Sequence, residues 1–331
     1  MPPVTLTAEF KIVTPMFIGG ADQSPSDGIR PPSVKGALRF WWRALNWKKF
    51  YGEAELSTPA ETRQVNALKA LHDEEVRLFG GSAEQGGQGV FLMEIAKQPS
   101  INSTITDWPT NNTGAGYMAY GILASNGGGT GIPQPHRKGI KEAQDFIMQL
   151  RFRTRISPED KNSLLAALDA WNLFGGLGSR SRRGMGSVTR VDPQGNLPTR
   201  QEYEQQANQV IAAMTSVPSP PYTALSSESH FLILSEGNDA RSVLNQAGQK
   251  YKDFRGQKSS LRGRDKIPFG LPLQAIDEQN RRASPLLFHV HALANENFVA
   301  SVLYLPASQF HPVYQSIKMT EVAKFAQGGG K

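Results

Sequence analysis

The residues best able to do chemistry fall into three basic clusters. The first is IRPPSVKGALRFWWRAL, residues 29–45. Lys35, Arg39 and Arg43 recur at every fourth position, so on a helix their heads line one face beside an apolar stripe of Val34, Leu38, Trp41 and Leu45. Arg30 precedes this helix, and Trp42 falls next to the cations. A basic row beside an aromatic plane, at a helix N-terminus with free backbone N–H groups, suits a phosphate backbone with one base stacked against it. An amphipathic helix whose cations are only solvated has the same spacing.

The second cluster is FGGLGSRSRRGMG, residues 174–186. Gly175, Gly176 and Gly178 permit positive φ and close backbone approach. Ser179 and Ser181 alternate with Arg180 and Arg182, and Arg183 and Gly184 follow. Arginine is suited to forked recognition of phosphate, and glycines let a chain wrap a ligand that side chains would obstruct. The third cluster comprises Lys258, Arg262, Arg264 and Lys266 in a connector, with Arg281 and Arg282 before the following strand. A solvated basic loop would read the same way. Three phosphates neutralised by the glycine–arginine loop would give a single-strand salt slope of roughly −2, about twentyfold in affinity between 50 and 200 mM salt.

Other chemistries find less support. No Gly-x4-Gly-Lys-Ser/Thr run occurs, so a nucleotide-hydrolysing P-loop is excluded. There is no cysteine, which excludes a thiol nucleophile, disulfides and thiolate zinc sites, and fits a reducing compartment. Of His72, His136, His230, His289, His291 and His311, the pair His289 and His291 alternate on one strand and could share a metal face, but without an acidic neighbour at ligand spacing a core or surface role is favoured. His136, beside Arg137 and Lys138, could serve acid–base cleavage of RNA. Asp22 and Asp27 could hold a divalent ion, although aspartate is also an ordinary turn residue.

The elements that must position these residues follow from periodicity. Thr5–Thr14 alternates as a half-buried strand, and Ser33 caps a helix reaching about Trp47. Val90–Ala96 and Asp145–Thr154 read as strands. Ser157 caps a second helix, with Pro158 at its first position, Asp160 completing a capping box and Gly175 ending it. Met185–Val191 is again a strand. The order is βαββαβ, the ferredoxin-like unit, with a glycine-rich insertion at 99–144. After a helix at Gln201–Thr215 and the proline-rich 216–222, the order repeats in abbreviated form. There is a strand at His230–Glu236, a helix at Asp239–Phe254, a hairpin of Pro285–Leu293 with Phe298–Leu305, and a weak helix at Gln309–Ala326. No final strand is visible, and 255–283 shows no apolar period. The expected fold is α+β: two tandem ferredoxin-like (RRM-like) domains, 1–198 and 199–331.

The chain has 331 residues, 39% of them hydrophobic, and 36 Lys and Arg against 29 Asp and Glu, a net charge of +7. This composition allows two modest cores and favours acidic partners. The first residues lack a signal-peptide pattern, and no apolar run approaches the roughly 20 residues of a membrane span. A soluble cytoplasmic protein without a membrane partner is expected.

TPMFIGG (14–20), residues 29–45, EVRLFGG (75–81), the loop 174–186 and RRASPLLFHV (281–290) follow one another in an order that resembles the RAMP superfamily of CRISPR-associated RNA-binding proteins. Within it, the resemblance is to the first-subunit family of the Cmr (type III-B) effector complex. It implies two ferredoxin-like domains, and as partners the CRISPR guide RNA, target RNA and other Cmr subunits. It further implies RNA contacts at Lys35, Arg39 and Arg43 and along Gly175–Gly184, near the 3′ part of the guide. Target cleavage and nucleotide cyclisation belong to other subunits, so the implied role is non-catalytic and needs no cofactor. The insertion 99–144 matches no family motif. Paired RRM aromatics are also absent, which argues for backbone and shape recognition over base reading. Two other readings stay open: an endoribonuclease, and a protein-bridging module whose positive charge meets an acidic subunit.

Overall fold

The alternation of Leu6, Ala8, Phe10 and Ile12 turns one side of β1 (Thr5–Ile12) inward. In the computed structural model the described residues are 4–20, 24–54, 59–82, 84, 87–122, 138–153, 156–214, 218–256 and 259–329. Along the first half, β1 is followed by α1 (Pro31–Glu53), α2 (Ala60–Phe79) and β2 (Phe91–Lys97). The insertion contributes β3 (Thr104–Ile105), α3 (Gly114–Met118) and β4 (Gly139–Ile140); then come β5 (Gln144–Phe152), α4 (Pro158–Phe174) and β6 (Val188–Val191). The four longer strands form an antiparallel sheet in the order β2-β5-β1-β6. Phe10 lies opposite Phe146 with ring centroids 5.4 Å apart, and Trp171 of α4 closes on Phe10 at 4.9 Å.

Several expectations are corrected in detail. α1 begins at Pro31, two residues before Ser33; Arg30 is its N-cap residue and makes no side-chain cap bond. Pro31 and Pro32 supply the helical φ, which makes a hydroxyl cap unnecessary. The Ser157 hydroxyl accepts from the Asp160 N–H at 3.1 Å, as read, but the Asp160 carboxylate pairs with Arg77 of α2 instead of completing a box. α2 itself was not foreseen. It packs along α1 and gives that helix a second buried side. Trp41 faces Phe174 of α4, and Trp42 faces Phe79 of α2.

The second half runs α5 (Arg200–Ala212), β7 (His230–Gly237), α6 (Ala240–Arg255), β8 (Leu271–Leu273), β9 (Asp277–Arg282), β10 (Leu286–Ala292), β11 (Phe298–Tyr304) and α7 (Thr320–Ala326). Its main sheet has the order β10-β11-β7, all antiparallel, and α6 lays Val243, Leu244, Ala247 and Tyr251 against it. Among the described residues no strand follows α7. In the connector, the described residues 259–283 form a packed segment rather than a solvated loop. A short 3-10 helix, Gly263–Phe269, and the β8–β9 hairpin bury Leu261, Ile267, Phe269 and Leu271, partly against Phe310.

The halves meet at β10, an edge strand whose seven residues are all buried. Its outward N–H groups at Phe288, Val290 and Ala292 donate to the Arg182 carbonyl (3.0 Å), Ser187 Oγ (3.1 Å) and Thr189 Oγ1 (3.0 Å). One apolar cluster continues from the first sheet and α4 into Leu287, Val299 and Leu303. No helix among the described residues is long and apolar enough to cross a membrane.

Candidate nucleic-acid interface

α1 carries Lys35, Arg39 and Arg43 into one hollow of about 570 Å³, faced by His72, Glu75 and Phe79 of α2 and by Gly80, Gly81, Gly87 and Gly89 beyond it. The Lys35 ammonium lies 5.2 Å from the Phe91 ring centroid, and burial, aided by the charge of Arg39, lowers its pKa. Arg39 Nε is 3.3 Å from Glu75 Oε1, and Arg43 reaches Glu75 Oε2 at 3.5 Å. Arg39 also donates to the Gly80 carbonyl. Glu75 is only 6% exposed, so a single carboxylate beneath two guanidiniums fixes their separation. It shares a face of α2 with Ala67, Leu71 and Leu78, all buried, and that spacing of three to four residues was the signal available for it.

Arg43, His72 and Glu75 also border a second hollow of about 430 Å³, walled by Phe40, Leu68, Leu71 and Tyr222 and rimmed by Arg182 and Arg282. The Arg182 guanidinium lies over Phe40 at 4.7 Å and donates to the Ser284 carbonyl at 3.0 Å. Burial, with the charges of Arg282 and Arg183, brings its pKa down to about 10. Burial also lowers that of Arg282, whose guanidinium donates to Thr223 Oγ1 at 3.3 Å. Neither arginine has a carboxylate partner among the described residues. Three stretches distant in sequence thus place five cations around two adjoining hollows that share Arg43, His72 and Glu75. A third, smaller hollow of about 230 Å³ joins Arg30, Ser33, Gly178 and Ser179 to the Phe17–Gly20 segment.

Other expected site residues do different work. Trp42 is 1% exposed, and its indole N–H donates to Ser163 Oγ at 2.6 Å, so it cannot stack on a base. The helix N-terminus offers little to an anion, because Pro31 and Pro32 carry no N–H and the Ser33 N–H is bonded to the Arg30 carbonyl. The loop glycines serve the protein's own packing. A Cβ at Gly175 would strike Trp171, one at Gly176 would lie 2.7 Å from the Gly186 carbonyl oxygen, and one at Gly178 2.6 Å from that of Phe17. Gly184, at φ +78°, has Leu244 Cδ1 2.6 Å from where its Cβ would be. Arg183 is drawn inward between Tyr251 (4.7 Å) and Phe288 (5.7 Å), where it fastens the loop to the second half. Ser181 is half-buried within the loop, and Arg180 is exposed near Gly121.

In the connector, Arg262 turns back on the carbonyls of Ser259 and Leu261, and Arg264 lies over Tyr314 at 5.6 Å. Arg281 donates to the carbonyls of Glu278, Gln279 and Asn280. Lys258, Asp22 and His136 lie outside the described residues.

His289 and His291 are buried, as expected. The Gly175 carbonyl accepts from His289 Nδ1 at 2.8 Å, leaving Nε2 to accept from His291 Nδ1 at 3.1 Å. Tyr203 stacks on His291 at 4.2 Å. Burial lowers both imidazole pKa values, that of His289 to about 4.

The comparisons agree on one lineage. The chain is 25% identical to the CRISPR system Cmr subunit Cmr1-1 of Pyrococcus furiosus, over 87% of this chain and 83% of that protein. It is 26% identical to Cmr1-2 of the same organism, over 54% of this chain and 91% of that one. The crystal structure of Cmr1 from Pyrococcus furiosus superposes with a TM-score of 0.57 at 19% identity, covering 96% of this chain and 92% of that chain. A chain in the cryo-EM structure of the type III-B Cmr-beta complex bound to cognate target RNA superposes at 0.57 with 12% identity, covering 99% and 98%. The RAMP superfamily model matches residues 9–189, more than half the chain and including α1, α2 and the glycine–arginine loop, and this protein belongs to the RAMP superfamily.

Proposed function

We propose that this chain is a non-catalytic, RNA-binding subunit of a type III-B (Cmr) CRISPR complex. In this reading it works in the cytoplasm, holding the 3′ part of the guide RNA or of the guide–target duplex beside other Cmr subunits. Its architecture is read as two tandem ferredoxin-like units, the second without its last strand. The observation that carries the proposal is the pair of adjoining hollows along α1, where Lys35, Arg39, Arg43, Arg182 and Arg282 face, among the described residues, one lining carboxylate, Glu75. That surplus, drawn from three stretches of chain, matches a polyanion far better than a neutral ligand or an acidic side chain.

Fluorescence anisotropy of the full chain with a labelled single-stranded RNA, between 50 and 200 mM salt, tests this. Five phosphate contacts give a slope near −3.5, about a hundredfold in affinity across that range. Arg39→Ala with Arg43→Ala should weaken binding and flatten the slope by about 1.4. Unchanged affinity and slope in the folded variant would remove the hollow from the RNA path. Gel analysis of the same samples, with and without magnesium, should show intact RNA; cleavage would favour the endoribonuclease reading.

A further inference from the structure

The two adjoining hollows differ in chemistry. The first is lined mainly by charged and polar groups and by glycine backbone, as a track for a sugar–phosphate chain would be. The second exposes more apolar than polar surface, from Phe40, Leu68, Leu71 and Tyr222, with Arg43, Arg182 and Arg282 also lining it. A phosphate seated inside it would trade water for hydrocarbon, which is costly for a charge. Its volume of about 430 Å³ lies within the roughly 300–1,000 Å³ usual for small-molecule sites, ample for one planar heterocycle.

Resting on the RNA-binding reading above, we propose that this second hollow receives one unstacked base of the bound strand. Phosphates on either side of that nucleotide would be held by Arg43 and Arg282. The rim supports this assignment. Arg182 already lies 4.7 Å from the Phe40 ring centroid as a cation–π pair, and a guanidinium backed by an aromatic ring is a platform on which an unpaired base stacks. Arg182 and Arg282 hold like charges near each other without a carboxylate, a strain that an entering nucleotide's phosphate would relieve. Tyr222 is fixed as a wall by its hydroxyl, which donates to the Arg43 carbonyl at 3.2 Å. The site would therefore add a base contact to an interface otherwise made of backbone contacts, with no choice between bases implied by its apolar walls.

The test compares three 12-nucleotide strands on the full chain: oligouridine, a fully abasic ribose–phosphate strand, and the abasic strand with one central uridine. The single uridine should tighten binding about tenfold over the abasic strand, in line with the stacking of one base on an aromatic platform. Ala283→Trp, an exposed substitution at the mouth of the hollow, should abolish that gain while keeping the binding and salt slope of the abasic strand. If the abasic strand binds with a steep salt slope and the uridine adds nothing, the base pocket is refuted and the RNA reading stands. A gain that persists in Ala283→Trp also refutes it, by placing the base elsewhere. If no strand binds, the RNA reading itself fails.

Discussion

Replacing Glu75 by glutamine should move affinity and stability in opposite directions. In the native chain this carboxylate, 8% exposed at its side chain, sits under Arg39 and Arg43, which are 32% and 44% exposed. Glutamine keeps the shape and an accepting oxygen but removes the charge, raising the net charge of the hollow by one. For a phosphate about 6 Å away, that charge is worth roughly 0.7 kcal/mol in water-like surroundings and about 2.8 kcal/mol at an effective dielectric constant of 20. Salt screening favours the lower figure, so RNA affinity should rise at least about threefold, with a salt slope steeper by up to roughly 0.7. The folded state loses two partly exposed ion pairs and leaves two guanidiniums facing each other. The cost is about 1 kcal/mol, moderated because a buried carboxylate no longer has to be desolvated. Anisotropy titrations at four salt concentrations, with urea unfolding of the same preparations, read both quantities. Affinity and slope that stay at the native values in a folded, slightly destabilised variant would show that RNA does not enter this hollow.

Other outcomes separate packing from binding. Arg183→Ala should cost about 1–2 kcal/mol in urea unfolding by removing the guanidinium between Tyr251 and Phe288, and should leave RNA affinity within twofold. Gly36→Ala, on α1 with nothing within 4 Å of the added methyl, should stabilise by about 0.5–1 kcal/mol. Gly184→Ala, strained at φ +78° and facing Leu244, should destabilise by about 1–3 kcal/mol in the same assay. The buried His289 takes up its proton near pH 4 when folded and near 6.5 when unfolded, so the unfolded chain binds more protons between those values. Its contribution is fully present well above pH 6.5 and is lost as pH falls, by about 2 kcal/mol between pH 7.5 and 5. Urea midpoints at pH 7.5 and 5.0 should show the drop, and His289→Asn should reduce it.

Elements with a strong local signature were legible in the sequence. The alternation of β1, the Ser157 cap of α4, the four-residue spacing of Val243, Ala247 and Tyr251 on α6 and the β10–β11 hairpin each declare themselves within a few residues. α2 does not. Its N-cap position is Pro59, with no side-chain cap bond, and its buried face consists of small or isolated residues interrupted by a carboxylate. Missing α2 had a direct consequence at the site. A helical wheel places Trp42 beside the cations, but whether that side is open depends on a second helix over it. The connector was obscure for a related reason: Ile267 and Leu271 are buried against Phe310, some forty residues later. The basic row of α1 was visible in the spacing, whereas its union with Arg182 and Arg282 depends on packing between the two halves. Around the glycine–arginine loop, composition suggests room for a ligand, and at Gly175, Gly176, Gly178 and Gly184 that room is taken by the protein's own backbone and side chains.

The capping of β10 bears on how the chain is made. An edge strand with seven buried residues and three free donors is the kind of segment that pairs with the wrong partner when exposed. Its three caps, the Arg182 carbonyl and the hydroxyls of Ser187 and Thr189, lie about a hundred residues earlier. During synthesis from the N-terminus they leave the ribosome before β10 does, and the strand emerges into a template already waiting for it. Reversing that order by circular permutation, or supplying 199–331 alone, would present the edge bare.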